Sequence, residues 1–273
     1  MHGEAFDVLG VRIDDVSSER LKELLEQFFV SERPRLIVTP NPEFVLQAEK
    51  DAVFASLLAT SDLALPDGVG LRFAVCALTP HRLEHRHAGV DVLVRLAELC
   101  RDRGDRMALV GGVAGSATET ADVLRSQFFG LEVLGINPGE IDGDSERVLI
   151  PLDLISVLNT FAPRVLAVGL GQGKQERAII TLFKQVPSLK IGIGTGGSFD
   201  TLSGRFPRAP LFFRKTGLEW LWRLRLQPSR IQRIFRAVFV FPSHVVIASL
   251  RSRQFFRACG RVFPEVFSQL RGQ

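Results

Sequence analysis

The sequence predicts an α/β fold: a Rossmann-like, mostly parallel sheet with helices on both faces over residues 1–204, then a basic, helical C-terminal appendage over residues 205–273. Three observations lead there. Short apolar runs alternate with stretches of helical periodicity, the mark of βαβ units. The strand-like runs are nearly all apolar, as expected when helices cover both faces of a sheet. After about residue 204 no strand signal recurs, and the charge changes sign.

Taken in order, Leu36-Ile37-Val38 reads as a strand ending at Thr39-Pro40-Asn41-Pro42. Leu46 to Leu58 has helical spacing, with Asp51 as a break or cap between two short helices. Leu63-Ala64-Leu65 stops at Pro66-Asp67-Gly68, and Val92–Leu99 reads as a helix. Met107–Val110 runs into Gly111-Gly112, Ala117–Phe128 is helical, and Leu131–Ile136 is a strand. Ser145–Thr160 is helical with a start delayed by Pro151. Val165–Val168 runs into Gly169-Leu170-Gly171, Gln175–Phe183 is helical, and Leu189–Ile193 is a strand.

The chain has 273 residues and a formal net charge of +4. That small number hides a split: residues 205–273 carry 13 Arg and Lys215 against Glu219 and Glu265, about +12, which leaves about −8 for residues 1–204. A basic segment asks for an anionic partner. Phe between the cations would suit base stacking, yet no RNA-binding motif accompanies it. Nucleic acid is therefore not an expected partner. Cys76, Cys100 and Cys259 are far apart, without a CxxC pair, which fits a reducing cytoplasm. The N-terminus has no apolar core of a signal peptide. Ile231–Leu250 is the longest apolar stretch, but Arg233, Arg236 and Pro242 argue against a spanning helix. It reads as a helix lying on a membrane surface or docked on the protein.

In open parallel sheets, ligands bind beyond the carboxyl ends of the strands. Five polar or glycine-rich clusters fall there: Thr39–Glu43, Pro66–Gly68, Gly111-Gly112, Gly169–Glu176 and Gly194–Asp200. Asp67 is the sharpest carboxylate among them, suited equally to a general base or to a helix N-cap. Gly192–Gly197 fits GxGxxG, but the acid a ribose needs some 20 residues on is missing, which disfavours a nicotinamide oxidoreductase. The Gly171–Lys174 run lacks the P-loop pattern. Asp142-Gly143-Asp144 could hold a divalent metal but reads better as a solvated turn. His81, His85 and His87 read as a mobile basic loop, not a metal site, so no metal is expected. In the tail, Arg223, Arg230 and Arg233 would share a helix face if Pro228 did not break it.

The order of these motifs resembles the WecG/TagA/CpsF family, glycosyltransferase family 26, over roughly Phe6 to Val240. The residues that carry it are Thr39-x-Asn41-x-Glu43, Pro66-Asp67-Gly68-x-Gly70, Arg86-x-x-Gly89-x-Asp91, the Gly169–Glu176 loop, Gly196-Gly197-x-Phe199-Asp200, Arg208-Ala209-Pro210 and Gly217-Leu218-Glu219-Trp220-Leu221-x-Arg223. Gly173 stands where the family usually has Pro, Trp222 replaces Tyr, and Gln227 replaces Glu; the family's Gly-Tyr-Phe is absent around Pro138–Ile141. These departures bear on donor-sugar specificity. The resemblance implies an inverting enzyme that moves a hexose from a UDP-sugar to a polyprenyl-diphosphate-linked saccharide, with no cofactor, on the cytoplasmic face of the plasma membrane. It implies Asp67 as base and Thr39, Asn41 and Gln175 near the reacting sugar. Gly169, Gly171, Glu176, Gly196, Gly197 and Asp200 fall on the donor side. Arg86, Arg208, Arg223, Arg230 and Arg233 are candidate acceptor and diphosphate contacts. A homo-oligomer stays open, since apolar tail faces could pack on another subunit instead of lipid. A non-catalytic basic RNA- or lipid-binding module would explain the tail but neither Thr39–Glu43 nor Pro66–Gly70.

Overall fold

The computed structural model describes residues 4–113 and 115–270. The chain opens with an antiparallel hairpin, β1 (Glu4–Val8) and β2 (Val11–Asp15), in which Phe6, Val8, Val11 and Ile13 face inward. Leu9 and Gly10 turn it with φ of 54° and 85°, the left-handed pair a tight hairpin needs. Helix α1 (Ser18–Phe29) follows, capped by Ser17, whose hydroxyl accepts from the Arg20 amide at 3.2 Å.

From there strands and helices alternate: β3 (Arg35–Val38), α2 (Pro42–Ala48), α3 (Ala52–Ala59), β4 (Leu63–Ala64), α4 (Val69–Leu78), α5 (Gly89–Arg103) and β5 (Met107–Gly111). Next come α6 (Ser116–Gln127), β6 (Val133–Ile136), α7 (Leu152–Phe161), β7 (Val165–Gly169), α8 (Lys174–Gln185) and β8 (Ile191–Gly194). Six strands form one parallel sheet in the order β4-β3-β8-β7-β5-β6. Successive residues feed opposite faces, as strand geometry requires. Val38, Val110, Leu166 and Val168 join one core; Ile37, Leu109, Val165 and Ala167 join the other. Both faces are thus covered, and the apolar strand sequences have that cause.

Asp51 caps α3 by accepting from the Phe54 amide at 2.9 Å, so the break expected there is a true helix start. Helix α7 begins at Leu152, directly after Pro151; the expected helical stretch 145–151 is instead a loop.

The remaining elements are helical: α9 (Ser198–Leu202), α10 (Leu211–Lys215), α11 (Glu219–Leu226), α12 (Ile231–Phe235), α13 (Phe241–Arg251) and α14 (Phe255–Leu270). Pro228 ends α11's path and starts a fresh one-turn 3-10 segment, Pro228–Arg230. A π-helical segment, Arg236–Val240, joins α12 to α13, so Pro228–Arg251 runs as one helix. Helices α13 and α14 both pack on α4, and Phe241, Val245 and Ala258 enter the body's core. Glu265 on α14 is fully buried against Arg72 of α4, with Arg82 at 3.4 Å. On these same tail helices Phe235, Phe239, Leu250, Phe256, Phe263 and Phe267 remain exposed.

Candidate active site

The loops after β3, β4 and β8 meet beyond the sheet and form one wall of a cleft; the arginine-rich helices form the other. Asn41 starts α2, its Oδ1 accepting from the amides of Glu43 at 2.9 Å and Phe44 at 3.1 Å. Thr39 is buried behind the cleft-lining Gly89 and donates to the Gly194 carbonyl at 3.4 Å, which joins β3 to β8. Gly89 passes so near that an added Cβ would lie 3.4 Å from Ser198 Oγ and 3.6 Å from Thr39 Oγ1.

Asp67 sits at the end of β4, its amide donating to the Pro40 carbonyl at 2.8 Å. It does not cap α4: Gly68 holds that position at φ 94°, without a side-chain cap. The carboxylate is left for the cleft, which it lines with Asn41, Glu43, Arg223, Arg230 and Arg233. The cleft encloses about 210 Å³. Burial pushes the Asp67 carboxyl above the ordinary aspartate value, and Glu219 pushes the same way; Arg223 and Arg86 pull against both. A half-buried carboxylate made more basic by its surroundings is suited to accept a proton.

The cations divide into two kinds. Arg208 grips Asp91 bidentately at 2.7 and 2.6 Å, and Arg233 grips Glu43 at 2.6 to 3.0 Å. These pairs hold the tail against α5 and α2. Arg223 and Arg230 form no ion pair within 4 Å among the described residues. Arg230 lies over Gly197, 3.3 Å from where a Cβ would stand, and its pKa is pulled down by burial and by repulsion from Arg223 and Arg233. Two adjacent, unneutralised guanidinium groups make a site for an anion with several oxygens. A narrow extension of the cleft runs past Gly197, Asp200 and Trp222. Asp200 is 6% exposed, and its Oδ1 has no hydrogen-bond partner. Gly196 adopts φ 51° with open space where a side chain would be.

Other expected site residues lie elsewhere. Gln175 is buried beneath the β8 loop; its Oε1 accepts from the Gly196 amide at 3.2 Å, and its Nε2 donates to Glu176 at 2.7 Å. Glu176 is fully buried and also accepts from the Gly173 amide at 2.7 Å, closing the first turn of α8. Burial pushes its carboxyl up to about 7, against the hydrogen bonds from Gln175 and Gly173. Both side chains therefore shape the loop from below and do not line the cleft. Gly169 is packed under the Phe199 ring, 2.9 Å from a notional Cβ, and its carbonyl accepts from Gly112 at 2.8 Å. Gly171 takes φ 85° in the turn into α8. Arg86 is exposed and lines a neighbouring cleft.

Asp144 accepts from the amides of Glu146 at 2.8 Å and Arg147 at 3.0 Å, closing a turn with Asp142 outside the cleft. The His81–His87 segment, expected to be mobile, is tied to the hairpin: Asp15 accepts from the amides of Glu84 and His85, and His87 Nε2 donates to the Val16 carbonyl at 2.8 Å. The three imidazoles serve separate contacts. Glu43, Asp91 and Glu219 were not singled out from the sequence, yet all touch the cleft or hold its cations. Each stands inside one of the quoted motifs, and Glu219 is one of only two acids in a basic tail.

A family model described as Glycosyl transferase WecG/TagA/CpsF family matches residues 6–255. The chain belongs to that family. Its relatives include the N-acetylglucosaminyldiphosphoundecaprenol N-acetyl-beta-D-mannosaminyltransferases of three bacteria. That of Bacillus spizizenii is 29% identical over 226 residues, 82% of this chain and 84% of that protein. That of Bacillus subtilis is 30% identical over 213 residues, 78% and 80% of the two chains. That of Staphylococcus aureus is 29% identical over 234 residues, 84% and 87%. This chain is therefore a glycosyltransferase of the hexosyl-transferring kind. The family assignment agrees with the cleft at the carboxyl ends of the strands and favours an enzyme over a basic binding module or an oxidoreductase.

Proposed function

We propose that the enzyme moves a hexose, of the N-acetylmannosamine or glucose type, from a UDP-sugar to a polyprenyl-diphosphate-linked saccharide in surface polysaccharide biosynthesis, with inversion at the anomeric carbon. The activities of the relatives, N-acetylmannosaminyl transfer to a diphosphoundecaprenol-linked sugar, support the classes of transferred sugar and acceptor. The observation that carries the mechanism is Asp67, a carboxyl made more basic by burial, facing the unpaired Arg223 and Arg230 across one cleft.

Asp67 takes the proton from the acceptor hydroxyl as that oxygen attacks the anomeric carbon. The bond from that carbon to the UDP oxygen breaks, and its electron pair leaves on the diphosphate. Arg223 and Arg230 meet the developing charge, where fixed cations stabilise a transition state most effectively. Gly196 and Gly197 let the diphosphate approach the backbone, and Asp200 lies on the nucleotide side. Thr39 and Asn41 frame the sugar; Gln175 acts by holding Gly196. In this reading, residues 205–273 form the diphosphate- and membrane-contacting appendage of a catalytic body, residues 1–204. Helix Pro228–Arg251 is long and apolar enough to cross a membrane, with mean hydropathy 1.5 in its most apolar window. Phe241, Val245 and Ser249 are packed on the body, which supports a helix lying on a bilayer surface over one crossing it; in this reading the surface is the anionic cytoplasmic face, with the exposed phenylalanines toward the lipid.

The test is a UDP-release screen across UDP-sugars with a short polyprenyl-diphosphate-sugar acceptor. Release that depends on both substrates supports the reading; no release with any pair refutes it.

A further inference from the structure

A second cleft opens beside the first, across a wall that Ala88, Arg208 and Glu219 form. It encloses about 350 Å³ and is lined by Arg72, Arg86, Arg214, Lys215, Glu84 and Leu211 among others. Arg86 lines the second cleft and still pulls on the Asp67 carboxyl, so the two spaces communicate electrostatically at that residue.

Arg72 and Arg208 are neutralised, by Glu265 and Asp91. Arg86, Arg214 and Lys215 form no ion pair within 4 Å among the described residues. The Arg214 Nε is buried without any hydrogen-bond partner. A buried guanidinium N–H left unmatched is costly unless something accepts from it. The position of these cations is built into the fold. Gly217, at φ 74°, lets the end of α10 press on Val69, with only 3.1 Å between a notional Cβ and the valine side chain. Gln269 of α14 donates to the Lys215 carbonyl and accepts from Arg72 at 3.1 Å. The lip beside Arg214 is apolar: Leu211 and Phe212 are 62% and 64% exposed.

We propose that this second cleft is the seat of the acceptor's diphosphate, bound by Arg214 and Lys215 with Arg86, while the polyprenyl chain leaves over Leu211 and Phe212. The inference rests on the transferase reading above. It assigns the two diphosphates of the reaction to separate cationic clefts, one on each side of the wall that Ala88, Arg208 and Glu219 form. The acceptor's sugar would then enter over the shared wall, with its hydroxyl toward the carboxylate.

The test is binding of farnesyl diphosphate to the full-length protein in the presence of saturating UDP, by calorimetry. Expected is binding to both together, weakened at least tenfold by the pair Arg214→Gln and Lys215→Gln, with UDP affinity changed less than twofold. Arg230→Gln should do the reverse, weakening UDP and sparing farnesyl diphosphate. Competition between UDP and farnesyl diphosphate would overturn the proposal, as would unchanged farnesyl diphosphate affinity in the double variant. A double variant that loses only its affinity for phosphatidylglycerol vesicles would also overturn it, since the cations would then read headgroups. None of these readouts needs turnover. A failed UDP-release screen with intact two-site binding would sink the catalytic reading and leave the second site standing.

Discussion

Glu176 gives a quantitative handle on the loop that shapes the cleft. It is fully buried, both oxygens accept hydrogen bonds, and burial lifts its carboxyl from the ordinary 4.5 to about 7. In the unfolded chain it titrates near 4.5. Below that pH it is protonated in both states and costs nothing. As pH rises from about 4.5 to about 7, the unfolded chain loses the proton first, and stability falls. Above about 7 the full penalty is present. At 1.36 kcal/mol per pH unit, the gap corresponds to about 3 kcal/mol. Glu176→Gln removes the titration. It also turns one acceptor into a donor, a constant cost of about 1 kcal/mol at any pH. Denaturant unfolding of both proteins at pH 5 and pH 8 separates the two effects. The variant should gain about 2–3 kcal/mol on the wild type between those pH values. A difference independent of pH would refute the buried, neutralised state of Glu176.

Three further outcomes follow from the same geometry. Arg230→Ala should raise the KM for the UDP-sugar by roughly 10- to 100-fold, from the loss of a charge-assisted contact, and Arg230→Lys should recover only part of it; steady-state kinetics with varied donor measure this. Glu265→Ala leaves Arg72 without its buried partner and should cost about 2–3 kcal/mol, less than a fully buried pair because both arginines are partly exposed; denaturant midpoints report it, and limited proteolysis should cut α14 free first. Phe239→Ser with Phe263→Ser should abolish sedimentation with anionic vesicles while leaving soluble UDP binding intact, since both rings are exposed and outside the cleft.

Much of the body was legible because its signals are local. Each inner strand is an apolar run ended by Pro, Gly or Asn, and Asp51 caps as its residue type suggests. The N-terminal hairpin is hard to read from sequence although Phe6, Val8, Val11 and Ile13 alternate inward, because Leu9 is an unusual left-handed turn residue. In the site, Thr39–Glu43 and Pro66–Gly70 were readable, being loops at strand ends. The Gly169–Glu176 loop misled in part. Polar residues after a strand suggest ligand contact, but Gln175 and Glu176 fold under the β8 loop, and Gly169 makes room for Phe199. Such burial depends on what packs above, which spacing does not encode. The arginines showed the same limit: which are spent on Asp91 and Glu43 and which stay unpaired is set by tertiary contacts alone.

Asp67→Asn tests the central claim most directly. Asparagine keeps the size of the side chain and removes its ability to take a proton. With UDP-sugar and a short polyprenyl-diphosphate-sugar acceptor, the transfer rate should fall roughly 10²- to 10⁴-fold, while UDP affinity and the unfolding midpoint are retained. The wild-type profile should lose rate toward acid at a pH above the ordinary aspartate range, because burial raises the carboxyl's pKa and the protonated acid cannot act as base. Turnover by Asp67→Asn at the wild-type rate would contradict the account.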